Sequence, residues 1–293
     1  SGWTSLGGLQ GSSGCGSDLS SGNALSDDGQ VATGLAWDGC TGRAYRWTPA
    51  TGMTALPTGS GSSRGDAVSG DGSFIGGWDS ASSGQRRATI WGPSGIGVHP
   101  LVGQSGNQQG FGETWGLSTD GSFAVGSGLK EPFLFLKASG SVMNLGTLPG
   151  LATFDVCVAT GVSDDGKTVV GYQGSFFGTQ PRAWIWTSTG GMQLLTTYLA
   201  QQGVVLPPSL SLQGATDISP DGQTISGWSG KVFNDKGFVV SLSAWDDLGG
   251  GTMGASGVPS LTGSGPLSAL SLCGLQLESA VPQTVGLLAI ATQ

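Results

Sequence analysis

The chain has 293 residues, of which 56 are glycine and only 10% are charged, with a formal net charge of −8. That acidic balance excludes a nucleic-acid binder, because phosphate recognition needs a basic face, and no apolar run approaches the roughly 18 residues of a membrane-spanning helix. Ten Trp and ten Phe set in register into a Gly- and Ser-rich chain argue for a packed all-β core rather than low complexity.

In chain order, the opening segment Gly2-Trp3-Thr4-Ser5-Leu6-Gly7-Gly8-Leu9 reads as a lone strand. Five copies of one phrase, Ser-x-Asp-Gly-x-x-x-x-Gly, then follow, starting at Ser26, Ser69, Ser118, Ser163 and Ser219. Their Asp anchors (Asp28, Asp71, Asp120, Asp165 and Asp221) stand 43, 49, 45 and 56 residues apart, the period of a propeller blade. In the fourth copy, Cys157 to Ser163 alternates small and apolar residues like a strand near a propeller axis, and Asp164-Asp165-Gly166 is a tight hairpin turn. Lys167 to Tyr172 is a β-branched second strand, Arg182 to Thr187 a third, and Met192 to Leu195 a fourth.

The fifth copy supplies three strands, ending at Lys236–Leu242, and lacks a fourth. The opening segment is the missing piece, so the predicted fold is an all-β, five-bladed β-propeller over residues 1–244 whose N-terminal strand closes the last blade. Residues 245–293 read as a linker, Asp246 to Gly251, and a short C-terminal β segment, incomplete alone or completed by another chain.

The run Ala159 to Tyr172, followed by Arg182-Ala183-Trp184-Ile185-Trp186 and Gly190-Gly191-Met192-Gln193-Leu194-Leu195, resembles the extracellular HAF-repeat proteins. So do Asn144-Leu145-Gly146-Thr147-Leu148-Pro149-Gly150 and the stretch Leu212 to Ser219. The resemblance covers roughly residues 1–243. It implies a secreted or surface β-propeller of bacterial type, carries no catalytic residues with it, and fits a mature extracellular chain after removal of a signal peptide.

Four cysteines without CxxC spacing, Cys15, Cys40, Cys157 and Cys273, point to disulfides. Cys15–Cys40 is the preferred bridge and Cys157–Cys273 the second, isolated buried thiols being the alternative. The single histidine, His99, argues against a Cys/His zinc site. The recurring Asp-Gly turns read as structural, with Ca2+ ligation the alternative and Asp27-Asp28 and Asp164-Asp165 the doublets to watch. Gly61-Ser62-Ser63-Arg64-Gly65 matches a nucleophile elbow only by coincidence, since no strand there feeds a helix.

The loops opposite the Asp-Gly turns are long and varied, Thr196 to Gln213 among them, and recognition belongs on such loops. They carry the candidate binding residues Arg86, Arg87, Phe111, Glu113, Phe154, Asp155, Phe176, Phe177, Phe233 and Asp235. Trp78, Tyr172 and Trp228, like Trp47, Trp91 and Trp186, recur at equivalent repeat positions and predict inter-blade packing.

The functional reading is a secreted, non-enzymatic propeller, a structural or binding module that self-assembles through its C-terminal strands. Its partners are then copies of itself, another surface protein or a glycan. The alternatives are an extracellular polysaccharide hydrolase or lyase using loop carboxylates such as Glu113, Asp38, Asp79 and Asp155, and a lectin-like glycan binder.

Overall fold

The computed structural model describes residues 2–9, 19–59, 61–95, 97–101, 112–128, 131–150, 155–175, 180–204, 206–207, 210–231, 234–242, 260–264 and 274–278. The first sheet is β1 (Ser20–Leu25), β2 (Ala32–Asp38), β3 (Thr41–Thr48) and β4 (Gly52–Ala55). The second is β5 (Ser63–Val68), β6 (Ile75–Ser80), β7 (Arg86–Trp91) and β8 (Gly97–Val98). The third is β9 (Glu113–Leu117), β10 (Phe123–Gly128), β11 (Glu131–Leu136) and β12 (Ser141–Asn144). The fourth is β13 (Val156–Val162), β14 (Thr168–Gly174), β15 (Arg182–Thr187) and β16 (Gly191–Leu194), followed by a helix, α1 (Leu195–Gln201). The fifth has β17 (Leu212–Ile218), β18 (Thr224–Lys231) and β19 (Asn234–Ser241). All five are antiparallel and ordered as in the chain, because tight turns pair each strand with the next.

The repeated phrase builds the first turn of each sheet by one set of hydrogen bonds. Ser26 Oγ donates to the Asp28 carboxylate and accepts the Val31 N–H, while Asp28 accepts the Gln30 N–H. The same three bonds recur around Ser69 and Asp71, Ser118 and Asp120, Ser163 and Asp165, and Ser219 and Asp221. The turn glycine follows with φ between 65° and 73° in all five copies, a conformation that side chains strain to adopt. The donors hold the turn carboxyls below their ordinary range, Ser26 and then Gln30 at Asp28, Ser219 and then Gln223 at Asp221. Ser69 is fully buried. Ser69→Ala, which leaves the Phe74 N–H without its side-chain partner, is expected to cost about 1–3 kcal/mol, read as a lower urea midpoint at unchanged slope.

The second strand of each sheet packs on the innermost strand of the next: β2 on β5, β6 on β9, β10 on β13 and β14 on β17. Large side chains fill the wedges between sheets. Trp184, Val169 and Cys157 of the fourth sheet share a buried cluster with Val125 and Leu134 of the third, and Leu145 and Leu148 beyond β12 join it. Trp91 and Ile75 of the second sheet meet Ala44 and Leu56 of the first in the same way. Tyr172 and Trp228 meet edge to face, centroids 6.2 Å apart, between the fourth and fifth sheets. Of the aromatics predicted to pack between sheets, Trp91, Trp186, Tyr172 and Trp228 do so, whereas Trp47 packs within the first sheet's cluster and Trp78 against Arg64 and Arg86 of its own sheet.

Three expectations need correction. Residues 2–9 form no strand, and the fifth sheet keeps three strands among the described residues. Leu6 and Leu9 instead pack on Ala36, Tyr45 and Met53 of the first sheet, and Ser20 Oγ donates to the Gly7 carbonyl. Cys157 is a free, fully buried thiol, so the Cys157–Cys273 bridge does not form; desolvation pushes its pKa up to about 12. No disulfide joins two described residues. Cys40 is disulfide-bonded, and its partner, like Cys15 and Cys273, lies outside them. The stretch Thr196 to Gln213, read as a loop, opens with α1, whose Leu195 and Leu199 are buried against Val170, Ile185, Leu212 and Ile225. In the tail, β20 (Ser260–Ser264) and β21 (Gly274–Glu278) pair with each other as an antiparallel hairpin.

Candidate functional site

Each innermost strand carries a bulge against its neighbour at one shared repeat position, and β17 has a second at Gln213. The extra residue is Asn23, Asp66, Trp115, Thr160 or Thr216, in every copy three residues before the repeat serine. A bulge leaves that residue unpaired and re-aims its side chain. All five line one cavity of about 440 Å³. Two residues on, at the next position of like facing, Leu25, Val68, Leu117, Val162 and Ile218 line the same cavity. Two further on, where the turns begin, Asp27, Gly70, Thr119, Asp164 and Pro220 complete it. The cavity thus runs along the inner strands of five sheets. The arrangement is propeller-like.

A charged and aromatic cluster sits at the end of this cavity opposite the Asp-Gly turns. Arg64 Nε lies 2.6 Å from Asp66 and Nη2 lies 3.1 Å from Glu113, whose other oxygen is held by Arg86 Nη1. The guanidinium of Arg86 stacks 4.3 Å from the Trp78 ring centre, and that of Arg64 lies 5.9 Å from Trp78 and 5.6 Å from Trp115. The two carboxylate side chains are 4% and 7% exposed, against 27% and 42% for the arginines. Two cations and two anions balance, as burial of charge requires. Asp66 Oδ2 and the indole nitrogens of Trp78 and Trp115 are nevertheless buried with no hydrogen-bond partner.

Desolvation pushes the Asp66 pKa up to about 7, outweighing the opposing pull of Arg64. An unfolded Asp releases its proton near pH 4, so between about pH 4 and pH 7 the folded chain holds a proton that the unfolded chain lacks. Asp66 therefore contributes stability at low pH that is lost as pH rises through 7. Asp66→Asn is expected to flatten the pH dependence of the unfolding free energy across that window, measured by urea titrations from pH 4 to 8.

Of the residues singled out in the sequence, Arg86 and Glu113 meet in this cluster. Arg87 does not: its guanidinium forms a two-pronged pair with Asp79 at 2.9 Å and 2.9 Å. His99 stands beside them, 3.2 Å from Thr89 Oγ1, and burial lowers its pKa, favouring the neutral ring. Asp155, just before β13, is 1% exposed. Phe111, Phe154, Phe176, Phe177 and Phe233 lie outside the described residues, and Asp235 is described only as backbone of β19. Ser63 of the elbow-like motif is a fully buried strand residue whose Oγ accepts the Ala44 N–H. Arg64, Asp66 and Trp115 were missed. Asp66 and Trp115 stand in the column three positions before each repeat serine, which changes residue type from copy to copy and so shares no chemistry.

No protein-family model matches the chain, and no curated protein is significantly similar to it. Solved structures are similar to it at low identity. TolB from Acinetobacter baumannii shares 19% identity over 77% of this chain and 52% of that one, with a TM-score of 0.48. A protein assigned as TolB from Agrobacterium tumefaciens shares 16% over 76% of this chain and 80% of that one, at 0.49. Acylaminoacyl peptidase from Pyrococcus horikoshii shares 11% over 76% and 37%, at 0.46. This chain thus spans most of the length of one of these and about half or less of the others. The expectation of a secreted, self-assembling structural module is corrected here: the similar solved structures are TolB proteins and peptidases.

Proposed function

We propose that the chain is a five-bladed β-propeller, closed between its first and fifth sheets, that holds a segment of a partner protein at the loop-side end of its axial cavity. The observation that carries this reading is the Arg64–Glu113–Arg86 cluster on Trp78. Arg and Trp are the residue types on which binding energy concentrates, and here they are fixed by buried carboxylates while Arg86 remains 42% exposed. Closure of the ring is supported by the packing of the N-terminal segment. Leu6 and Leu9 sit on the first sheet as Leu145 and Leu148, beyond β12, sit on the fourth.

The test is selection of a displayed peptide library against the whole chain, followed by affinity measurement with Arg86→Ala and with a distant variant, Thr54→Ala on β4. Peptides that bind the parent and Thr54→Ala alike but at least ten-fold more weakly to Arg86→Ala support the reading. No enrichment, or binding indifferent to Arg86, overturns it.

A further inference from the structure

The axial cavity has a charge pattern that the loop-side cluster accounts for only at Asp66, whose Oδ1 pairs with Arg64. Its lining includes the carboxylates of Asp27, Asp66, Asp164 and Asp217 and, among the described residues, no Lys, Arg or His. The acids fall at two levels. Asp66 and Asp217 stand at or beside the bulges, and Asp27 and Asp164 stand where the turns begin. Four strand residues separate these levels, roughly 13 Å. The level between them is wholly aliphatic, formed by one Leu, Val or Ile from each of the five inner strands.

The side chain of Asp66 is 4% exposed, and its Oδ2 has no hydrogen-bond partner. A buried carboxylate oxygen left so is costly unless a donor reaches it. Asp217 is exposed and accepts, among the described residues, only the Ile218 N–H, and partial desolvation raises its pKa. Asp164 accepts the Thr119 N–H with Oδ1, leaving Oδ2 for another donor.

A hard metal ion would want oxygen ligands converging within about 2.3–2.6 Å of one point, and no group of three acidic, His or Cys side chains among the described residues could hold one. Acids at both ends of an aliphatic collar suit a different shape: a methylene chain along the apolar wall with a cationic head against the carboxylates, as Lys stems lie on apolar surface. We propose that the axial cavity binds an alkylammonium group, supplied either by a free linear polyamine or by a lysine side chain of another protein. This inference stands on the cavity lining and does not depend on the loop-side reading.

The experiment is calorimetric titration of the whole chain at 0.15 M salt with spermidine, with Nα-acetyl-lysine methylamide, and with two controls, 1,8-octanediol and MgCl2. The salt level suppresses loose attraction to the net charge of −8. Saturable binding of an amine, absent for the diol and not displaced by equimolar Mg2+, is the expected result. Asp27→Asn with Asp164→Asn, both at the turn mouth, should weaken it at least ten-fold, and Asp66→Asn should do likewise. Tighter binding of spermidine identifies a free polyamine as the ligand, and tighter binding of the lysine derivative a protein side chain. If Asp66→Asn fails to fold, the turn-mouth variant decides alone, since those carboxylates lie outside the ion-paired cluster. Failure of both amines to bind, displacement by Mg2+, or binding unchanged in the turn-mouth variant overturns the proposal.

Discussion

Replacing Glu113 with alanine is expected to destabilise the chain by about 3–5 kcal/mol, the cost of breaking a buried ion pair from one side. Among the described residues Glu113 is the only carboxylate that ion-pairs with both Arg64 and Arg86, and it comes from the third sheet while both arginines come from the second. Its loss leaves Arg64 with Asp66 alone and strips Arg86 of its charge partner, though both guanidinium groups keep their place near Trp78. The penalty therefore falls on an inter-sheet contact and appears in global unfolding, as a lower urea midpoint with unchanged slope. Glu113→Gln keeps the shape and one acceptor and should cost less than the alanine change. A double-mutant cycle with Arg86→Ala then isolates the pair. A Glu113→Ala cost below about 1 kcal/mol, the worth of an exposed pair, would show the cluster to be solvated surface.

The parts of this molecule that the sequence made legible are those built locally. A Ser-x-Asp-Gly turn closes its hydrogen bonds within six residues, Ser69 Oγ to Asp71 and Phe74 to Ser69 Oγ, so each copy announces itself without its neighbours. The periodic Trp positions were legible for the same reason: a repeat that stacks on itself must present the same face in each copy.

What failed depended on partners distant in sequence. Arg64 was read only as part of a chance Gly-x-Ser-x-Gly match, whereas its meaning comes from Glu113, on the inner strand of the next sheet. The bulge column was invisible as a pattern because Asn23, Asp66, Trp115, Thr160 and Thr216 share no chemistry, only an address. The N-terminal segment has strand-like composition. Its Leu6 and Leu9 nonetheless satisfy themselves by burial on the first sheet without pairing, and hydrophobic spacing alone does not separate the two outcomes. In α1, two leucines four apart gave too short a run to outweigh a loop-rich setting.

The glycine that ends each repeated phrase carries the other large expected effect. A Cβ built on Gly171 would fall inside contact distance of the Val158 carbonyl oxygen and lie 2.6 Å from Trp184 Cζ2. The same collision with an inner-strand carbonyl meets Gly34, Gly77, Gly126 and Gly227, at Ser21, Arg64, Glu113 and Gly214. Neither obstacle can yield cheaply, since one is backbone and the other a fully buried indole. Gly171→Ala is therefore expected to cost about 4 kcal/mol, above the roughly 1–3 kcal/mol usual for core overpacking, because both obstacles are rigid. Gly140→Ala is the control: its φ of 67° is strained for alanine but nothing lies within 4 Å, so about 1 kcal/mol is expected. Denaturant melts of the two variants compare a collision with a torsional strain, and equal costs would mean that the inner strand gives way. The collision has a functional side as well. Gly171 faces Ala159 in the ladder, the register step that expels Thr160 toward the cavity. The close approach that only glycine permits is thus what turns one residue of each inner strand inward, and the cavity lining is set by a residue type on the strand behind it.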